Sequence, residues 1–197
     1  MISLQEMSML STLYTQPHRT YHNINHINEC LAELEGFHSK DFSYGDRQVV
    51  ERAIWFHDAV YNPYSKENEI QSAMLVPEDP KFIGDRVRKI ILATAKHVIT
   101  QEDLDFATQV MLDIDLAGFG KPWHICQKNG DNVRAEYYNT SDYDFAVGRL
   151  KFAQAIAQRE SLYYTDYFKA KYHEQSQKNL AVEIQIATET IDQLSGM

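Results

Sequence analysis

A few histidines and aspartates stand where the surrounding pattern asks for core residues. His57 and Asp58 are adjacent in "AIWFHDAVYNP", residues 53 to 63, with Ile54, Trp55, Phe56, Ala59 and Val60 on either side. His22 and His26 lie four apart in "TYHNINHINE", Asp113 and Asp115 two apart in "MLDIDLAGFG", and His97 follows "IILATAK". Burying an unpaired carboxylate or imidazolium costs several kcal/mol, so such groups are normally paired or coordinate a metal. Imidazole nitrogens with carboxylate oxygens suit divalent ions such as Mn, Fe, Co, Ni or Zn. The only cysteines, Cys30 and Cys126, form no cluster, which argues against a structural thiolate zinc site. Each residue alone reads as an ordinary core group; the set together points to a metal centre.

Helices must position these groups. Apolar residues recur at helical spacing over about 3–15, 23–36 and 46–60, the first stopped before Pro17, the second ending at Gly36 and the third closing at "NP". Further helices are expected over about 66–76, 80–97, 102–117, 130–138, 142–159 and 166–195. No stretch alternates cleanly enough to be a strand. The expected fold is all-α, a single domain over residues 1–197. On a helix, His22 and His26 would share a face one turn apart, and His57 and Asp58 would belong to the third helix. Asp113 and Asp115 would point in different directions, so at most one of them reaches a given ion.

Composition bounds the partners. A length of 197 residues with 44% hydrophobic residues suffices for one sizeable core. The longest apolar runs fall far short of the ~20 residues of a membrane span, and "MISLQEMSML" has neither a basic region nor an apolar block of the secretory kind. A cytoplasmic protein with two free thiols, away from membranes, is expected. The formal charge of -9 disfavours long nucleic acid, which needs a basic surface. An anionic substrate must then be caught locally.

The order His26, His57-Asp58, Asp115, each on its own helix, resembles the HD superfamily of metal-dependent phosphohydrolases. The blocks "PHRTYHNINHI", "AIWFHDAVYNPYSKENEIQSA", "ILATAKH", "LDIDLAGFG", "VRAEY" and "KNLAVEI", spread over residues 17 to 184, look like its small predicted-phosphohydrolase subfamily. The resemblance implies one divalent ion, with Mg added to the metals named above, held by His26, His57, Asp58 and Asp115. By likeness to the related cyclic-nucleotide phosphodiesterases, His22 becomes the proton donor to the leaving oxygen, and Asp58 serves the catalysis as well as the metal. The implied reaction is hydrolysis of a phosphate ester, a nucleotide or a similar small phosphorylated metabolite, by a metal-activated water. The alternative is a catalytically inactive metal-binding module acting as a nucleotide sensor; a third reading is a di-iron oxygenase. Arg19 and Arg134 are the favoured phosphate contacts, because a guanidinium can hold phosphate in a bidentate grip. His97 and Glu69 complete the candidate substrate contacts, with His97 either touching the phosphate or standing behind the metal ligands. The deoxynucleotidase branch carries a glutamate three residues after the HD aspartate; here that position is Tyr61. Whether the protein forms a homodimer stays open.

Overall fold

Five of the helices begin at a side chain that replaces a missing backbone partner. Ser3 and Ser43 each accept from the backbone N–H three residues on, while Glu6 and Asp46 reach back to close capping boxes. Ser141 and Thr165 accept in the same way at the starts of their helices, and Asn23 accepts from the backbone N–H two residues on. Such caps satisfy donors that a helix leaves orphaned, typically worth about 1 kcal/mol each.

The computed structural model describes residues 2–78, 83–99 and 105–196. It is all-α, with no strand among the described residues. The elements are α1 (Leu4–Tyr14), α2 (Ile24–Gly36), α3 (Tyr44–Phe56), α4 (Asn68–Met74), α5 (Ile83–Thr94), α6 (Phe106–Asp115), a 3-10 segment (Leu116–Gly120), α7 (Trp123–Glu136), α8 (Asp142–Ala157) and α9 (Asp166–Ser195). Among the described residues no helix is long and apolar enough to cross a membrane. The expected helix starts at 80 and 102 lie outside the described residues.

The chain packs as two compact units, Met1–Asp115 and Leu116–Met197. In the first, α3 lies against α2, α5 and α6. Its core includes Leu10, Ile27, Leu34, Val50, Ile54, Phe56, Ile90, Ile91, Met111 and Leu112, all fully or almost fully buried. Tyr14 is buried among them and donates its hydroxyl to the Trp55 carbonyl at 3.0 Å. In the second unit, α8 and the 3-10 segment pack on α9, around Ala153, Ile156, Leu162, Tyr163, Phe168 and Leu180. Gly120 has no substitute there: a Cβ on it would lie 2.3 Å from the Tyr172 Cβ.

Two expected placements need correction, and both bear on the site. The third helix does not run to residue 60; it ends at Phe56, and His57 is its C-cap. His22 is not on a helix at all. Asn23 is the N-cap of α2, in an extended conformation, so the chain before it has left the helical path. The i, i+4 relation assumed for His22 and His26 therefore does not apply.

Candidate metal centre

Four side chains from three segments of the first unit converge. His26 comes from the first turn of α2, His57 and Asp58 from the end of α3 and the turn after it, and Asp115 from the last residue of α6. Helix ends let this happen: side chains at a terminus can turn away from the core while the preceding apolar turn stays anchored in it. His26 and His57 are 5% and 1% exposed.

The donor spacing is the informative quantity. An ion with bonds of about 2.1 Å to nitrogen and oxygen sets neighbouring donors about 3.0 Å apart in octahedral geometry and about 3.4 Å apart in tetrahedral geometry. His57 Nε2 lies 3.0 Å from Asp58 Oδ2 and 3.4 Å from Asp115 Oδ1. His26 Nε2 lies 3.1 Å from Asp115 Oδ1, 3.3 Å from His57 Nε2 and 3.8 Å from Asp58 Oδ2. Four of these five separations match the edges of a coordination polyhedron; the fifth is somewhat wide. His26, His57 and Asp58 form one buried group that could hold a metal ion, and His26 and Asp115 belong to a second.

Orientation fits as well. His57 Nδ1 sits 2.9 Å from the Ile54 carbonyl, which can only accept, so Nδ1 carries the hydrogen. In the neutral ring the lone pair is then on Nε2, which faces the other donors. Asp115 uses its two oxygens differently: Oδ1 faces His26 and His57, and Oδ2 accepts from His97 Nε2 at 2.8 Å. His97 lies just past α5 with φ at 49°, the only described non-glycine residue with positive φ. Glycine is the usual occupant of such a position because a side chain there is strained. Retaining histidine therefore calls for a reason in its side chain, and the bond to Asp115 supplies one.

Charge keeps the cluster tightly coupled. Burial disfavours the charged His57 ring, but the Asp58 and Asp115 carboxylates beside it outweigh burial and hold its pKa well above the ordinary histidine range. Burial likewise works against ionised Asp58 and Asp115. The His57 charge then prevails, aided by His22 for Asp58 and by hydrogen bonds from His26, His57 and His97 for Asp115, and both carboxyls lie below the usual range.

The remaining candidates are placed as follows. His22 stands beside the cluster, its ring stacked on Tyr61 with centroids 4.1 Å apart and 6.2 Å from the ring of His26. Asp113 is fully buried and is not among the grouped donors. Glu69 lies in the first turn of α4, half-buried, and is likewise not among them. Arg19 is buried and donates to backbone carbonyls, including those of Asp58 and Ala59. Arg134 belongs to the second unit, where it bonds Asp142, the Tyr137 and Thr140 carbonyls, and covers the Phe145 ring.

Sequence reasoning passed over Cys30. It is one helical turn beyond His26, a spacing that would have flagged it, and with His26 and Asp115 it forms a second group able to hold a metal. Its sulfur, however, lies 3.8 and 3.7 Å from the two ring nitrogens of His26. Being nearly equidistant from both, it rests against the ring and is not aligned with either lone pair. Burial and the neighbouring Asp115 carboxylate push the thiol pKa well up, which disfavours the thiolate a metal would need. Asn68 and Ser72 were missed too. Asn68 bonds the Asn62 backbone in both directions, and Ser72 does the same for Val60, so the chain after Asp58 is pinned to α4.

No family model matches the chain, and no curated protein matches it.

Proposed function

We propose that the protein is a divalent-metal-dependent hydrolase of a phosphate ester, a nucleotide or similar small phosphorylated metabolite, of the HD type its sequence resembles. The observation that carries this reading is the donor spacing at His26, His57, Asp58 and Asp115, with four distances between 3.0 and 3.4 Å. One divalent ion would be held by these four residues, and when bound it supplies a Lewis acid and an acidified water. His57 presents Nε2 because Ile54 holds its other nitrogen. Asp115 is kept in orientation by His97. His22, beside the ligands and stacked on Tyr61, is suited to hold or deliver a proton at the leaving oxygen.

The test is metal analysis of the purified protein, followed by turnover assays with Mn, Co, Ni and Mg on mononucleotides, dinucleotides and aryl phosphates. Release of phosphate, or opening of a diester, that is lost on chelation and restored by metal supports the reading. Tight binding of a nucleotide without turnover would replace it with a sensor.

A further inference from the structure

We infer that Arg19 is the positioning residue of the centre, locking the loop that carries His22 to the turn that carries Asp58, and does not grip the substrate phosphate. This rests on the hydrolase reading only for the roles of His22 and Asp58; the lock itself is seen in the bonds.

Arg19 is 5% exposed. Its Nη1 donates to the Asp58 carbonyl at 2.6 Å and to the His22 carbonyl at 3.3 Å, so one nitrogen bridges two distant stretches of chain. Nη2 donates to the Ala59 carbonyl at 2.9 Å, and Nε to Gln16 Oε1 at 3.0 Å. The Asp58 and Ala59 carbonyls lie just beyond the C-terminus of α3, where the negative end of the helix dipole favours a cation. The lock is repeated through rings. The guanidinium carbon lies 5.7 Å from the centre of the Tyr61 ring, and Tyr61 in turn stacks on His22. Backbone and ring of His22 are thus both referred to one rigid group.

A helix-end arginine can be purely structural. Arg47 donates to the Leu34 and Phe37 carbonyls at the end of α2 and to nothing in the cluster. Arg19 differs because its acceptors belong to two residues of the centre. Lysine, with a single nitrogen, could not span this set as a planar fork does.

The experiment compares the whole wild-type protein with Arg19→Lys and Tyr61→Leu, each loaded with Co(II). Three readouts are taken: the visible cobalt band, the affinity for inorganic phosphate, and kcat and KM with p-nitrophenyl phosphate. For Arg19→Lys we expect an altered band, and a kcat lower by about 10–100-fold with KM and phosphate affinity unchanged, as for other outer partners of a metal site. A fall of about tenfold in phosphate affinity, or a matching rise in KM with kcat kept, would identify a phosphate contact and overturn the inference. So would a variant indistinguishable from wild type. If Arg19→Lys does not fold, Tyr61→Leu decides: lowered kcat at constant KM and phosphate affinity supports the lock, and unchanged kcat overturns it. A wild-type protein that binds cobalt without turnover removes the hydrolase reading alone, and the change in the cobalt band then settles Arg19.

Discussion

The ends of α3 and α7 are both closed by a guanidinium: Arg19 donates to the carbonyls of Asp58 and Ala59, Arg134 to those of Tyr137 and Thr140. The surroundings differ. Arg19 is 5% exposed and its neighbours are metal-capable donors; Arg134 is 31% exposed and its other partner is the open carboxylate of Asp142. The sequence beyond each end differs as well, "HDAVYNP" against "YYNTSD". One device for finishing a helix thus serves a turn that only redirects the chain and another whose side chains could hold an ion. An arginine near a candidate site is therefore weak evidence for substrate contact until its acceptors are known.

The sharpest test of this contrast removes the side chains that set the two ends apart. His57→Ala or Asp58→Ala should weaken metal binding by more than about 100-fold, beyond the range for loss of an outer partner. Calorimetric titration with Mn or Co measures this, and retained affinity would mean that the α3 end, like the α7 end, is only a turn.

Acidity should act on the α3 end. The raised pKa of His57 means that the metal-free ring holds a proton, which an ion must displace. Metal affinity should rise by up to about tenfold per pH unit and level off once pH passes that raised value. The linked stability of the metal-free protein has the opposite sense: it is fully present below the ordinary histidine pKa and lost as pH rises through the raised one. Flat affinity between pH 6 and 8 would contradict this.

His97 separates strain from contact. His97→Ala and His97→Gly both lose the bond to Asp115 and should lower metal affinity equally, by about tenfold. Only glycine accepts the left-handed backbone freely, so the glycine variant should be more stable than the alanine one by about 1 kcal/mol. Equal denaturation midpoints would show that the backbone relaxes.

The smallest effect belongs to the α7 end. Arg134→Ala should lose about 1 kcal/mol of stability at most, because the site is partly exposed and screened, and leave metal affinity unchanged. A change in metal binding would break the comparison from the other side.

Much of this was legible from residue types and spacing. The apolar periodicity of "DYFKAKYHEQSQKNLAVEIQIATETIDQLS" marks α9 over the same residues as the structure, and the polar interruptions at His26, His57, Asp58 and Asp115 mark the groups that converge. Helix ends were harder. The helix expected over about 130–138 begins instead at Trp123, with Gly130 inside it. A spacing of four suggests a shared helical face for His22 and His26, and it looks the same whether or not the cap lies between them. Arg19 and Arg134 were read by charge, and what decided their placement was backbone carbonyls that no sequence pattern displays.

The ring of His57 takes the Ile54 carbonyl near the end of α3, so the side chain that would bind an ion also stitches the final turn of its own helix. With an ion bound there, fraying of that turn and release of the ion would become one event. Amide hydrogens of the last turn of α3 should then exchange with solvent at a rate governed by the free ion concentration, which would let the occupancy of the site be read from backbone opening alone.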